Sequence, residues 1–291
     1  MIVWLLRVVW ATLPFTAGPF AGRALEGWST PPRVAAEVLL WAAWAVVLVA
    51  VLAPRPLGLT VLRVVASTFL VLAVVVAFVS DASIVTRGAA LVGTTGAFAL
   101  AVSSPVSVAS ANGVAYGDES RFPLRIPPSL LLGPVPVAVV LTGAAPAAGP
   151  LLLADGRIAW GVAAIAAGAP VIAFLGRALH GLSRRWAVLV PAGVVLADPI
   201  ALADPVLFPR EHVVALGADA SRATPSADTV DLRLGAQSGT TRLVLDRPTE
   251  LLQTRRGRRG AATTTATELL FAVVERDALL RAAARRRLPV A

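Results

Sequence analysis

Long apolar runs fill the first 176 residues of this chain, and they constrain its fold more than any other feature. Each run is close to the roughly 20 helical residues that cross the hydrocarbon core of a bilayer, which is about 30 Å thick. The pattern therefore predicts six transmembrane helices. The runs assigned as spans are 2–20, 34–53, 59–79, 88–103, 130–143 and 158–174.

Two of these runs are irregular. The first contains Arg7 and Pro14 and lacks a basic leader, so we interpret it as a retained span instead of a cleaved signal peptide. Arg7 is close enough to the end to reach the headgroups, and the alternative is a charge that lines a path. The fifth run holds Pro134 and Pro136, which disturb a helix. If either run fails to span, the N-terminus changes sides.

Composition narrows the classes of function. The 26 basic residues outnumber the 17 acidic ones, and all of them are arginine. Such a charge attracts nucleic acid or anionic lipid, and the adjacent spans favour lipid. The absence of cysteine excludes disulfides and thiolate nucleophiles, and two histidines leave little for metal binding. No nucleotide-binding, hydrolase or zinc-protease motif is present. We therefore predict no catalytic residues, no metal and no cofactor.

The distribution of arginine in short loops predicts the orientation. With the segment after the sixth span inside, seven arginines fall on the inner side and four on the outer side. This bias predicts a plasma-membrane protein with both termini in the cytoplasm. The inner residues are Arg55, Arg63, Arg121, Arg125, Arg177, Arg184 and Arg185, and the outer ones are Arg23, Arg33, Arg87 and Arg157.

From Trp186 onward the apolar runs shorten and alternate with charge, which is typical of strands. We predict a transmembrane helical domain over 1–176, a juxtamembrane joint over 177–185 and a soluble domain over 186–291. The fold class is an α-helical bundle followed by a small β-barrel or β-sandwich with a C-terminal helix near 277–287. Strands are predicted at 186–190, 194–196, 206–209, 212–216, 229–234, 241–246, 250–254 and 268–274.

About seven short strands followed by one amphipathic helix is the layout of a pleckstrin-homology-like (PH-like) barrel. The opening at 185–216, with its Pro191-Ala192-Gly193 turn, resembles that of bacterial PH-like domains. The whole chain looks like multi-pass membrane proteins of unassigned function from high-GC bacteria that carry such a domain. The resemblance implies a membrane-facing or protein-binding role. Phosphoinositide-binding members have a basic loop between the first two strands, whereas the loop in this chain is uncharged.

A polar segment within 104–128 supplies the candidate functional residues. It separates a span rich in small residues from one that contains proline, and transporters build sites from such irregular backbone. The alternative is an ordinary cytoplasmic loop in which Asp118 and Glu119 pair with Arg121 and Arg125. The candidates are Asn112, Tyr116, Asp118, Glu119, Arg121 and Arg125.

A second set of arginines is predicted to contact the anionic inner leaflet. Each arginine near such a surface contributes about 1 kcal/mol. The set is Arg177, Arg184, Arg185, Arg255, Arg256, Arg258 and Arg259, of which the last four also fit a solvated loop. No aromatic residue is interleaved with them, so nucleic acid is not expected.

Together these features favour a membrane scaffold or adaptor whose soluble domain docks a partner protein or the anionic leaflet. The alternative is a transporter, or a subunit of one, with its site or gate around 104–136.

Overall fold

The computed structural model describes residues 1–219, 228–254 and 260–291. The chain forms two compact units. The first contains Met1–Ser110 and Pro134–His180, and the second contains Ala111–Gly133 and Gly181–Ala291. Residues 111–133 therefore belong with the C-terminal part of the chain. This division departs from the predicted continuous domain over 1–176.

Among the described residues, helices make up the first unit and strands dominate the second. The helices are α1 (Ile2–Thr16), α2 (Gly18–Leu25), α3 (Thr30–Leu52), α4 (Pro56–Val79), α5 (Ile84–Ala101), α6 (Ser104–Asn112), α7 (Pro128–Leu132), α8 (Pro134–Ala154), α9 (Ile158–Leu182) and α10 (Arg276–Arg285). The strands are β1 (Ser120–Pro123), β2 (Trp186–Val190), β3 (Gly193–Ala197), β4 (Val206–Pro209), β5 (Val213–Ala218), β6 (Thr229–Asp231), β7 (Thr240–Thr254) and β8 (Ala261–Ala272).

Six helical segments of the first unit are long and apolar enough to span a membrane. The first segment combines α1 and α2, and the other five are α3, α4, α5, α8 and α9. Their outer faces carry large apolar side chains, such as Phe78 and Trp160, which are 86% and 72% exposed. A surface of that kind is stable in lipid and not in water. The predicted count of six spans is confirmed, and the chain is a multi-pass membrane protein.

The fifth span lies further along the chain than predicted. The predicted helix covers 130–143, whereas α8 runs from Pro134 to Ala154. Pro134 occupies the first helical position, where the missing N–H is not needed. Helix continues through Pro146 and Pro150 because lipid offers no other partner for the backbone groups.

Arginines inside or beside the spans cap the ends of neighbouring helices. Arg7 donates to the carbonyl oxygens of Val51 and Leu52, at 3.2 and 3.3 Å, where α3 ends. Arg63 donates to the carbonyl oxygen of Ala101, the last residue of α5, at 3.4 Å. Cations at helix C-termini satisfy unpaired carbonyls and complement the helix dipole. These contacts give both arginines a structural role.

The second unit contains two four-stranded sheets and α10, which confirms the predicted fold class. The first sheet is antiparallel in the order β1-β2-β3-β4, and the second has the order β5-β7-β8-β6 with β6 parallel to β8. After Arg185, seven strands lie within the described residues. The two strands predicted at 241–246 and 250–254 are one strand, β7, whose pairing with β8 shifts register between Val244 and Thr249.

The strand β1 lies within 104–128, where the sequence predicts irregular backbone and no strand. It pairs with β2, so that Phe122 lies opposite Ala187. The inner face of this sheet packs into one core with the second sheet and α10, through Phe122, Leu189, Phe208, Phe271 and Leu279. Two spans, α8 and α9, separate β1 from β2. An even number of crossings is what two strands of one sheet require, so this pairing agrees with α8 being a full span.

Candidate functional site

Asn112 is the last residue of α6, and its side chain holds the open edge of β1. Its Nδ2 donates to the Arg121 carbonyl oxygen at 2.8 Å, and its Oδ1 accepts from the Arg121 backbone N–H at 2.9 Å. This pair of bonds is the one that a neighbouring strand would form. The role of Asn112 is therefore to fix β1 at the edge of the sheet.

Glu119 organises the turn that precedes β1. One carboxylate oxygen accepts from the Tyr116 backbone N–H at 2.7 Å and from Arg121 Nη2 at 2.6 Å. The Arg121 guanidinium also stacks 4.7 Å from the ring centre of Trp186. Glu119 and Arg121 are paired as the ordinary-loop alternative expected. Tyr116 is 90% exposed, and the Asp118 side chain is exposed as well.

Arg125 and Arg185 meet in a buried cluster. Arg185 forms a bidentate pair of hydrogen bonds with the Asp198 carboxylate, at 2.7 and 2.6 Å. It also donates to the Arg125 carbonyl oxygen at 2.6 Å. The side chains of Arg185 and Asp198 are 1% and 0% exposed. The prediction that Arg185 contacts lipid is wrong, because a buried guanidinium needs a carboxylate partner and has one here.

The other predicted lipid contacts divide into two groups. Arg177, inside α9, and Arg184, just after it, are exposed as that prediction requires. Arg255, Arg256, Arg258 and Arg259 lie outside the described residues.

A cleft of about 370 Å³ opens in the second unit, where four chain segments meet. They are the turn before β1, the turn between β2 and β3, the residue that follows β4, and the end of α10. The lining residues, which we call the Arg210–Arg286 cleft, are Asp118, Val190, Pro191, Arg210, Arg286 and Leu288. Of these, only Asp118 was among the predicted site residues.

The end of α10 shapes one wall of this cleft. The Arg287 N–H donates to the Ala284 carbonyl oxygen at 2.9 Å, and the Leu288 N–H donates to that of Ala283 at 3.1 Å. These two bonds form a Schellman cap, with Arg287 in the left-handed region at a φ of 58°. The cap turns the chain so that Leu288 is buried in the core and still borders the cleft.

Hydrogen bonds join the opposite wall to the same helix end. Arg286 Nη2 donates to the Asp118 carbonyl oxygen and, at 3.1 Å, to Ser120 Oγ. Arg210 Nη2 donates to the Arg286 carbonyl oxygen at 3.2 Å. The turn between β2 and β3 ends at Gly193, and this position requires glycine. Its φ is 151°, and an added Cβ would meet the Phe208 carbonyl oxygen.

Sequence reasoning missed Arg286 because its place at a helix C-terminus already explained a cation there. Arg210 belongs to no recognisable sequence motif, so nothing in the sequence indicated it as a site residue. Chemically, the cleft offers two guanidinium groups, one carboxylate and an apolar wall, so its formal charge is +1. Among the described residues, no group of three His, Asp or Glu side chains is placed to hold a metal ion.

No family model, curated protein or solved structure matches this chain.

Proposed function

We propose that this protein is an adaptor of the plasma membrane, with both termini in the cytoplasm and a PH-like soluble domain that docks a partner protein. The observation that carries the proposal is β1. A strand supplied from between the fourth and fifth spans completes a sheet whose other strands follow the sixth. The chain therefore passes between the units three times, near residues 110, 133 and 180.

These three covalent connections link the soluble domain to the membrane spans, where a domain that simply followed the last span would have one. Only three residues separate the end of α9 at Leu182 from the start of β2 at Trp186. A partner that binds such a domain is held at the bilayer surface, which is the physical task of an adaptor. Exposed Arg177 and Arg184 add attraction to an anionic leaflet.

The transporter alternative receives less support. Residues expected to form a gate are engaged within the second unit, as in the Asn112 and Glu119 contacts. Within the six candidate spans, Glu37 is the one acidic residue, and it pairs with Arg33 one turn away with both side chains nearly half exposed. Acids that bind ions or protons in transporters face the bundle interior.

Co-purification tests the adaptor proposal. The full chain is cross-linked in its native membranes, purified in mild detergent and compared with a chain that ends at Leu182 and keeps all six candidate spans. We expect a specific protein, near one-to-one, with the full chain and none with the shortened one. A protein retained by the shortened chain would place docking outside residues 183–291 and contradict the proposal.

A further inference from the structure

We propose that the Arg210–Arg286 cleft binds an acidic peptide segment, with its two arginines holding a carboxylate. The inference rests on the proposed adaptor function, since it identifies the chemistry of the docking segment. It concerns residues within the second unit alone.

The two arginines are available for an anion. Among the described residues, neither Arg210 nor Arg286 forms an ion pair with a carboxylate. Each guanidinium has five N–H donors, and the bonds given above occupy Nη2 of each group. Those bonds also fix both side chains against the cleft. Fixed side chains lose little rotamer freedom when a ligand binds.

The rest of the lining favours peptide over a polyphosphate headgroup. Val190, Pro191 and Leu288 form an apolar wall against which an aliphatic side chain can pack. Asp118 is exposed and supplies an acceptor for a backbone N–H. A single carboxylate beside an N–H donor suits a cleft with a formal charge of +1. A headgroup with several negative charges would be repelled by Asp118.

The test uses the full chain in nanodiscs of neutral phosphatidylcholine. The probes are two pools of fluorescent eight-residue peptides, identical except for two central positions that are Glu in one pool and Gln in the other. Fluorescence anisotropy gives the affinity. We expect the Glu pool to bind about tenfold more tightly, which is typical of one hydrogen bond to a charged group.

Four substitutions locate the binding. Arg210→Gln and Arg286→Gln should each weaken binding of the Glu pool about tenfold. Pro191→Glu adds a negative charge at an exposed turn without removing a bond, and it should weaken binding as well. Arg281→Gln removes one charge from an exposed position of α10 outside the cleft lining, and it should change nothing. Thermal unfolding checks that each variant folds.

In the peptide assay, three results would overturn the inference. The two pools bind equally, or Arg281→Gln weakens binding as much as Arg210→Gln, which indicates diffuse attraction. Alternatively, inositol trisphosphate displaces the Glu pool and its own binding depends on Arg210 and Arg286, which assigns the cleft to a lipid headgroup.

The adaptor proposal can fail separately. If a co-purified protein depends on residues 183–291 and stays bound to Arg210→Gln and Arg286→Gln, the adaptor stands and the cleft inference fails. If no protein depends on those residues, the adaptor proposal fails whatever the peptides do.

Discussion

Arg185 and Asp198 anchor the base of the first sheet. Removing a guanidinium and a carboxylate from water is unfavourable by several kcal/mol per ion, and only well-made bonds offset it. Two further hydrogen bonds supplement this bidentate ion pair. Arg185 donates to the Arg125 carbonyl oxygen, and the Ile200 N–H donates to Asp198 at 3.1 Å. Their polar groups are thus well satisfied, and loss of one member leaves the other buried and charged.

We expect Arg185→Met to lower the free energy of unfolding of the second unit by about 3–5 kcal/mol. The double variant Arg185→Met with Asp198→Leu should recover at least half of the loss, because no isolated charge remains. Hydrogen exchange of β2 and β3 measures both effects. Arg242→Met is the matched control.

That control breaks a surface pair between β7 and β8. The hydrogen bond from Arg242 to Glu268 raises the pKa of Arg242, but the Arg242 side chain is about half exposed. Such a pair contributes less than about 1 kcal/mol. An equal loss in Arg185→Met and Arg242→Met would contradict the special role of the buried pair.

The register of the hairpin formed by β2 and β3 indicates the Arg185–Asp198 pair. Val190 lies opposite Gly193 across a two-residue turn, and Trp186 lies opposite Ala197. One step further back, Arg185 and Asp198 come opposite each other. The sequence predicted both strands, but the turn was counted as three residues, Pro191 to Gly193. A turn of three residues does not place Arg185 opposite Asp198.

Arg287 has a backbone conformation that glycine adopts more readily, with a φ of 58°. Arg287→Gly should therefore stabilise the second unit, by up to about 1 kcal/mol. Arg285→Gly, two residues earlier at the last position of α10, should destabilise it instead. Thermal unfolding of the pair gives opposite shifts. A decrease for both would show that the side chain of Arg287 matters more than its φ.

At the scale of elements, α3 forms a hydrogen bond with a backbone carbonyl that Pro14 leaves free in α1. Pro14 has no N–H, so the Trp10 carbonyl oxygen loses its helical partner. Trp44 Nε1 donates to that oxygen at 2.9 Å, and Trp10 Nε1 donates to the Trp44 carbonyl oxygen at 3.0 Å. The Trp10 ring also stacks on Phe69 of α4, at 5.7 Å between ring centres. A neighbouring helix thus satisfies the carbonyl that proline frees, as membrane interiors require.

This arrangement predicts a coupling. Trp44→Phe should destabilise the first unit by about 1 kcal/mol, the scale of hydrogen bonds between membrane helices. In a Pro14→Ala background the loss should be smaller, because the alanine restores a backbone N–H that bonds the Trp10 carbonyl oxygen. Denaturant titration in detergent gives all four stabilities of the cycle. Additive losses would contradict the coupling.

The spans were predictable because lipid imposes a length and an apolar composition that are visible locally. The bounds of α8 were not, because prolines that end a helix in water are tolerated within a span. The strand β1 could not be predicted either. It has four residues, and its partner β2 comes after two further spans, so no local pattern indicates the pairing.

At the scale of the whole molecule, the pairing of β1 with β2 can be tested by cross-linking. The chain has no cysteine, so introduced pairs report cleanly. Arg121 lies opposite Val188, and directly opposed strand residues have the Cα separation that a disulfide needs. Arg121→Cys with Val188→Cys should cross-link nearly completely in oxidised membranes.

A protease site inserted after Asp155, between α8 and α9, makes the link visible. The two fragments should stay joined without reductant and separate with it. Tyr116→Cys with Val188→Cys is the control, since Tyr116 lies outside the paired residues. Cross-linking that is equally efficient in both pairs would contradict the register.

The pairing of β1 with β2 determines when the second unit can fold during synthesis. β1 leaves the ribosome 62 residues before β2, with residues 124–185 in between. At about 5–20 residues per second, β1 waits roughly 3–12 s for its partner, a window in which an exposed strand can pair wrongly. Its sequence limits the hazard, because β1 is short and carries a charge at Arg121 and a non-donating residue at Pro123. The second unit therefore folds only after the last span has been made.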